Sequence, residues 1–302
     1  MSRRRALVLG TAALLLVPWP DATAESPRFW PRQDERPLEP ARTGSTAGPA
    51  PGQATAPGRP GPATGLQVHD RGSHYEVIAG NPLPGPVQVR LSRRGGAQLH
   101  AVPALPLEAV LAAGSVRSVA RLYRTGTTTM GALDLDLAQV PGDPRARPQD
   151  FPYRLPFRGV PVRVDQGANG RYSHHDDANR HALDFALAEG TAVLAARAGV
   201  VMEIIDDDPR GGHSLRILHD DGGMAVYAHL QHGSIPLRVG EPVEQGQRIA
   251  HSGNTGTSTA PHLHFAVQVN AGMHLRSIPF RMFADAGELK FAREGDAAAS
   301  TD

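Results

Sequence analysis

Pro261-His262-Leu263-His264-Phe265-Ala266-Val267-Gln268-Val269 alternates between two kinds of side chain. Leu263, Phe265, Val267 and Val269 fall on one face, and His262, His264, Ala266 and Gln268 on the other. Period-two alternation predicts a β-strand with one face turned to a core. Residues two apart on a strand point the same way, about 6.6 Å apart along it. His262 and His264 are therefore expected to project together from the face opposite the apolar one. An isolated H-x-H pair is equally compatible with two histidines facing solvent, so the neighbouring strands decide its meaning.

Two further stretches carry the same kind of pattern. In His181-Ala182-Leu183-Asp184-Phe185-Ala186-Leu187, the residues Leu183, Phe185 and Leu187 form an apolar face. Asp184 lies opposite, flanked by Ala182 and Ala186, which leave room for a bulky ligand set. Met224-Ala225-Val226-Tyr227-Ala228-His229-Leu230 follows the turn Asp220-Asp221-Gly222-Gly223. Alternation there predicts Val226, Ala228 and Leu230 on the core side, with His229 on the other beside Ala225 and Tyr227. Three strands thus offer His or Asp from a non-core face. Of the 14 histidines, all but His69, His74 and His100 lie between His174 and His274. The coincidence favours a metal centre over three unrelated polar positions.

These stretches resemble the lysostaphin/LytM-type zinc metallopeptidases. The resemblance is carried by Ala182-Leu183-Asp184-Phe185 through Gly190-Thr191-Ala192-Val193 to Gly199-Val200-Val201, by Tyr227-Ala228-His229-Leu230, and by Ser252-Gly253-Asn254-Thr255-Gly256-Thr257-Ser258 running into Pro261-His262-Leu263-His264-Phe265. It spans roughly residues 150–285. It implies Asp184 and His264 as zinc ligands, with His229 and His262 beside the metal as catalytic groups. In the commonest form of the family the first ligand His lies four residues before the Asp, where this chain has Arg180. His181 is three before Asp184, an odd spacing that would turn it to the core side of a continuous strand. The ligand is then expected from the preceding loop, Gln166-Gly167-Ala168-Asn169-Gly170-Arg171-Tyr172-Ser173-His174-His175. A branch of the family carries a Ser-His pair there, and similarity to it selects His174, with His175 second and His181 third. His213, His219, His232, His251 and His274 have no motif position and are read as surface residues.

The resemblance further implies a single Zn2+ held by two imidazoles and one carboxylate, with an open position for water. Zinc brings the pKa of such a water to about 7. The implied substrate is a peptide stem or cross-link of peptidoglycan, with a D,D-endopeptidase activity on direct cross-links as first choice. The glycines of 252–258 are expected to line the cleft or simply to shape a loop. Two other classes compete: a non-catalytic LytM-like activator of another wall hydrolase, and a peptidoglycan-binding module without turnover. The regulator class typically lacks some metal ligands, whereas this sequence keeps Asp184, His229, His262 and His264.

Outward from this domain, at 147–285, the chain changes character. Residues 66–146 read as short strands: Val87, Val89 and Leu91 alternate with Gln88, Arg90 and Ser92, and Leu133, Leu135 and Leu137 with Asp134, Asp136 and Ala138. Pro and Gly clusters punctuate them, which predicts a small β-sandwich. The whole chain is expected to be all-β, a small sandwich followed by an antiparallel metallopeptidase domain. Residues 25–65 are rich in Pro, Gly, Ala and Thr and are expected to form a disordered linker, as is the flexible tail at 286–302.

Residues 1–24 have the layout of a secretory signal peptide: Arg3-Arg4-Arg5, the apolar run 6–17, and Ala22-Thr23-Ala24. That run is too short to span a bilayer, which takes about 20 residues. Cleavage after Ala24 is expected to leave an exported, periplasmic chain with no membrane segment. With 302 residues, no cysteine and 31 basic against 30 acidic residues, the chain offers no thiol nucleophile, disulfide or thiolate metal site. The balanced charge argues against nucleic acid as its partner; protein partners leave no trace in the sequence.

Overall fold

The computed structural model describes residues 2–8, 65–95, 99–125 and 133–291, and no helix occurs among them. Along most strands one face is apolar, so sheets form by burying those faces against each other. Two four-stranded sheets stack as the sandwich. One runs in the order Ser2–Val8, Leu133–Pro141, Val87–Gly95, Leu107–Leu111, and the other Gly65–Asp70, His74–Gly80, Val116–Arg124, Leu99–Val102. Val77, Val89, Leu91, Leu122, Leu135 and Leu137 fill the space between them.

Three sequence expectations about the chain ends meet the structure differently. Ser2–Val8, placed in the signal peptide, forms a strand antiparallel to Leu133–Pro141 along its full length. An open sheet edge presents unpaired backbone groups, and an attached extended segment satisfies them. The linker at 25–65 lies outside the described residues except Gly65, which opens a strand. The tail expected from 286 is ordered at its start: Gly287–Leu289 pairs with Arg281–Ala284, and Leu289 and Phe291 pack on the second core.

That second core belongs to the larger sheet, whose order is Val164–Gln166, Leu183–Ala186, His262–Asn270, Met224–Leu230, Gly212–Leu218, Gly199–Asp208, Pro242–Val243. Leu275–Ser277 also pairs with His262–Asn270, and every pairing in the sheet is antiparallel. Leu183, Phe185, Leu263, Phe265 and Val267 turn inward as their alternation predicts. Tyr153 and Tyr227 pack edge-on against Phe265 there.

The register places the polar face. Asp184 pairs directly with His264, Ala186 with His262, and Ala228 with His264. Directly opposed residues in an antiparallel pair have Cβ atoms about 4.5–5.5 Å apart. The middle of the sheet therefore gathers Asp184, His262 and His264 with no help from loops.

The two cores meet on one strand. Within Gly199–Asp208, Val201 is buried in the large-sheet core, while Met202, its neighbour on the opposite face, is buried in the sandwich core. Leu218 joins Met202 there. Gln88 Oε1 accepts from Met273 N–H at 2.8 Å, and Asn270 Nδ2 donates to the Gly142 carbonyl at 3.0 Å. Met202→Ala is expected to cost about 2–5 kcal/mol of unfolding free energy. Urea denaturation of the full chain measures this, and a midpoint unchanged from wild type would contradict the packing role.

Candidate metal centre

His174 reaches the sheet from the loop ahead of Leu183–Ala186. Its backbone N–H donates to the Gly170 carbonyl at 3.1 Å, and its Nδ1 lies 2.7 Å from the Gly167 carbonyl. Only Nδ1–H can donate to a carbonyl, so Nε2 is left as an acceptor, and it lies 3.2 Å from Asp184 Oδ1. The His174 side chain is wholly buried. His264 Nδ1 lies 2.9 Å from the same carboxylate oxygen. One ligand atom from each of His174, Asp184 and His264 falls within 4.8 Å of the others.

The chemistry of this donor set fits a cation. His264 Nε2 is 3.2 Å from Asn179 Oδ1, which commits that nitrogen as the N–H donor. His174 and His264 thus both turn lone pairs toward a carboxylate oxygen that is itself only an acceptor when ionised. Three converging lone pairs need a positive charge between them. Two imidazoles and one carboxylate form a set suited to zinc with an open position.

Gln166 ties this set together. Its Nε2 donates to Asp184 Oδ2 at 2.9 Å and to Ser173 Oγ at 2.7 Å, while its Oε1 accepts from Tyr172 N–H at 2.9 Å. One amide thereby holds the carboxylate and the loop that delivers His174. The loop also carries Tyr172, whose side chain stands almost free at 93% exposure.

His229 and His262 stand beside the cluster. Their ring centroids are 4.4 Å apart, and the His229 ring is 6.0 Å from that of His264. His229 Nδ1–H donates to the Thr255 carbonyl at 2.7 Å, and His262 Nδ1–H to the Ala260 carbonyl at 2.8 Å. Each ring keeps Nε2 as an acceptor, and that of His262 lies 3.9 Å from Asp184 Oδ1. Burial pushes the His229 imidazolium down to about 4, reinforced by His262 and His264 and opposed by the Thr255 hydrogen bond. His229 is therefore neutral at neutral pH and able to take a proton.

The route by which His229 arrives differs from the alternation argument. Ala225 and Tyr227, not Val226 and Ala228, face the core, and Tyr227 OH accepts a hydrogen bond from Ala196 N–H inside it. By parity His229 would follow Tyr227 into the core. Its backbone instead adopts φ 59°, a left-handed conformation that breaks the pleat. His229 turns to the polar face, and Leu230 takes the core position.

His175 is exposed, and His181 precedes the strand, its backbone N–H donating to Ser277 Oγ; neither joins the cluster. Two histidines read as surface residues are buried. His219 donates Nδ1–H to the Ala198 carbonyl, and burial pushes its pKa down to about 4. His213 lies against Asp206, with its ring 5.5 Å from that of His232. The glycines of 252–258 clear space for the protein's own backbone: a Cβ on Gly253 would lie 2.5 Å from Gln231 N, and one on Gly256 2.3 Å from Gly212 N. Gln166 and Asn179 carry no motif signal and emerge only from the hydrogen bonds.

Residues 178–275 match the family model described as peptidase family M23. That match takes in Asp184, His229, His262 and His264 and begins after His174. An uncharacterized metalloprotease of Haemophilus influenzae is 36% identical over 88 residues, 29% of this chain and 18% of that protein. The peptidoglycan DD-endopeptidase ShyA of Vibrio cholerae is 39% identical over 92 residues, 30% of this chain and 21% of that protein. The glycyl-glycine endopeptidase ALE-1 of Staphylococcus capitis is 37% identical over 94 residues, 31% of this chain and 25% of that protein. The chain thus spans a quarter or less of each of these relatives.

Proposed function

Starting from the peptidase family M23 domain at residues 178–275, we propose that the chain is an exported zinc endopeptidase that hydrolyses peptide stems or cross-links of peptidoglycan. The observation that carries this reading is the convergence of His174, Asp184 and His264, with the acceptor nitrogens of His229 and His262 beside them. Relatives named as peptidoglycan DD-endopeptidase and glycyl-glycine endopeptidase support the substrate class. A cross-link between two stem peptides is the first choice of bond. The apolar run behind Arg3-Arg4-Arg5 and the Ala22-Thr23-Ala24 site support export with cleavage before Glu25.

Zinc held by these residues would polarise the scissile carbonyl and make water nucleophilic at neutral pH. The protein's own groups do the rest. His174 and His264 each have one ring nitrogen tied to a fixed acceptor, so their other nitrogens stay directed at the centre. Gln166 keeps Asp184 Oδ2 occupied and leaves Oδ1 for the centre. His229, neutral and anchored at Thr255, is placed to take a proton at Nε2 as the nucleophile adds. The proton gained by His229 is then available to the departing amine, and His262, anchored at Ala260 with Nε2 as an acceptor, is placed to orient the attacking water by accepting from it.

The test is digestion of purified peptidoglycan by the zinc-loaded chain lacking residues 1–24, with products read by mass spectrometry. Cross-linked muropeptide dimers are expected to fall and monomers to rise, and a chelator is expected to stop the reaction. Intact dimers with a fully loaded protein would favour a binding or regulatory role instead.

A further inference from the structure

We propose that Asn179, oriented by Asp176, selects which nitrogen of His264 faces the metal centre. The inference rests on reading His174, Asp184 and His264 as a zinc site, and it gives a task to the loop between His174 and Asp184.

A neutral imidazole carries one N–H, on either nitrogen. His264 Nδ1 is 2.9 Å from Asp184 Oδ1, and its Nε2 is 3.2 Å from Asn179 Oδ1. If the proton sat on Nδ1, it would point at Asp184 and block the atom that could bind metal. The outcome depends on which end of the Asn179 amide faces the ring. Asp176 decides it. Asp176 Oδ1 lies 2.9 Å from Asn179 Nδ2 and 2.9 Å from the Asn179 backbone N–H. A carboxylate only accepts, so the NH2 end must face Asp176 and the carbonyl end must face His264. The amide oxygen draws the proton toward Nε2 against the pull of Asp184 on Nδ1, and so shifts the balance toward a free Nδ1 lone pair at the centre.

The backbone holds this relay at fixed length. Arg180 N–H donates to the Asp176 carbonyl at 2.9 Å, and Ala182 N–H to the Asn179 carbonyl at 2.8 Å. These bonds close a compact turn at the point where the chain enters Leu183–Ala186, the strand that carries Asp184. One loop therefore delivers His174 from its beginning and the partner of His264 from its end. Asn179 is a positioning residue, because it acts on the centre only through His264.

The experiment compares Asn179→Leu with the exchanged pair Asp176→Asn/Asn179→Asp, in the full chain. In the exchanged pair the amide at 176 keeps its oxygen on the backbone N–H of residue 179 and turns its NH2 to the carboxylate there, whose free oxygen still accepts from His264. Zinc affinity is read by competition with a chelating dye. The tautomer of His264 is read in zinc-free protein by nitrogen-15 ring shifts, which a merely structural role would not move. Asn179→Leu is expected to weaken zinc binding about tenfold to a hundredfold, as loss of an outer partner typically does, and to populate Nδ1–H on His264. The exchanged pair is expected to restore the Nε2–H form and most of the affinity. An Asn179→Leu protein with wild-type affinity and an unchanged tautomer would overturn the proposal, as would an exchanged pair that stays in the Nδ1–H form. A wild-type chain that binds no zinc but shows His264 as Nε2–H would overturn the zinc reading and leave the Asn179 assignment standing.

Discussion

Asp184→Ala is expected to lose zinc and hydrolysis together. Asp184 Oδ1 is the one oxygen that meets both His174 and His264, at 3.2 and 2.9 Å. Removing it takes away a ligand and the only negative charge among the three residues. Two neutral imidazoles then remain to hold a divalent cation. The loss of affinity should exceed the roughly 10–100-fold seen when only an outer partner is removed. Asp184→Asn separates the two contributions, because it keeps the shape and discards the charge. His174→Ala is expected to follow Asp184→Ala, whereas His175→Ala and His181→Ala keep zinc and rate, since neither side chain joins the cluster. Metal content after dialysis against dilute zinc, measured beside the rate on muropeptide dimers, checks the set. Full zinc occupancy in His174→Ala would remove it from the ligand set.

His229→Ala and His262→Ala are expected to do the opposite, keeping zinc and losing turnover. Each ring is tied to a backbone carbonyl outside the cluster, Thr255 for His229 and Ala260 for His262. Neither tie involves a ligand residue, so truncation should leave the centre assembled. A positioned general acid or base contributes about 10²–10⁴-fold to rate, and each single variant should fall by that order. The double variant should fall by less than the product of the two, because the rings are 4.4 Å apart and serve one reaction. Titrating zinc into both variants alongside single-turnover rates decides the matter. Loss of zinc from His229→Ala at wild-type stability would make that residue a ligand instead.

Much of the site was legible because antiparallel strands with one buried face obey parity. Leu263 and Phe265 had to go inward, so His262 and His264 had to go outward, and the pairing of Leu183–Ala186 with His262–Asn270 set Asp184 beside them. Parity fails where the backbone leaves the extended region. His229 reaches the polar side by a left-handed turn, on a strand whose inward residues have the opposite phase to the one its alternation predicts. Nothing in Tyr227-Ala228-His229-Leu230 announces such a turn, since the residue is not glycine. His174 came from a loop, where spacing carries no facing, and resemblance alone ranked it above His175. Gln166 and Asn179 were invisible because an amide's role depends on partners as far as 18 and 85 residues away. The junction at Met202 had a faint signal in Val200-Val201-Met202, an apolar run in which both faces of the strand are buried or half-buried.

The left-handed backbone at His229 sets selection for sturdiness against selection for chemistry. That conformation costs an L-residue with a Cβ roughly 1–2 kcal/mol, and a glycine nothing comparable. A population of variants screened only for survival at high temperature would therefore drift toward glycine or asparagine at this position. Its winners would be robust and inert. Any effort to harden this protein has to score catalysis in the same round as heat resistance, because a position open to stabilisation is one the reaction would lose.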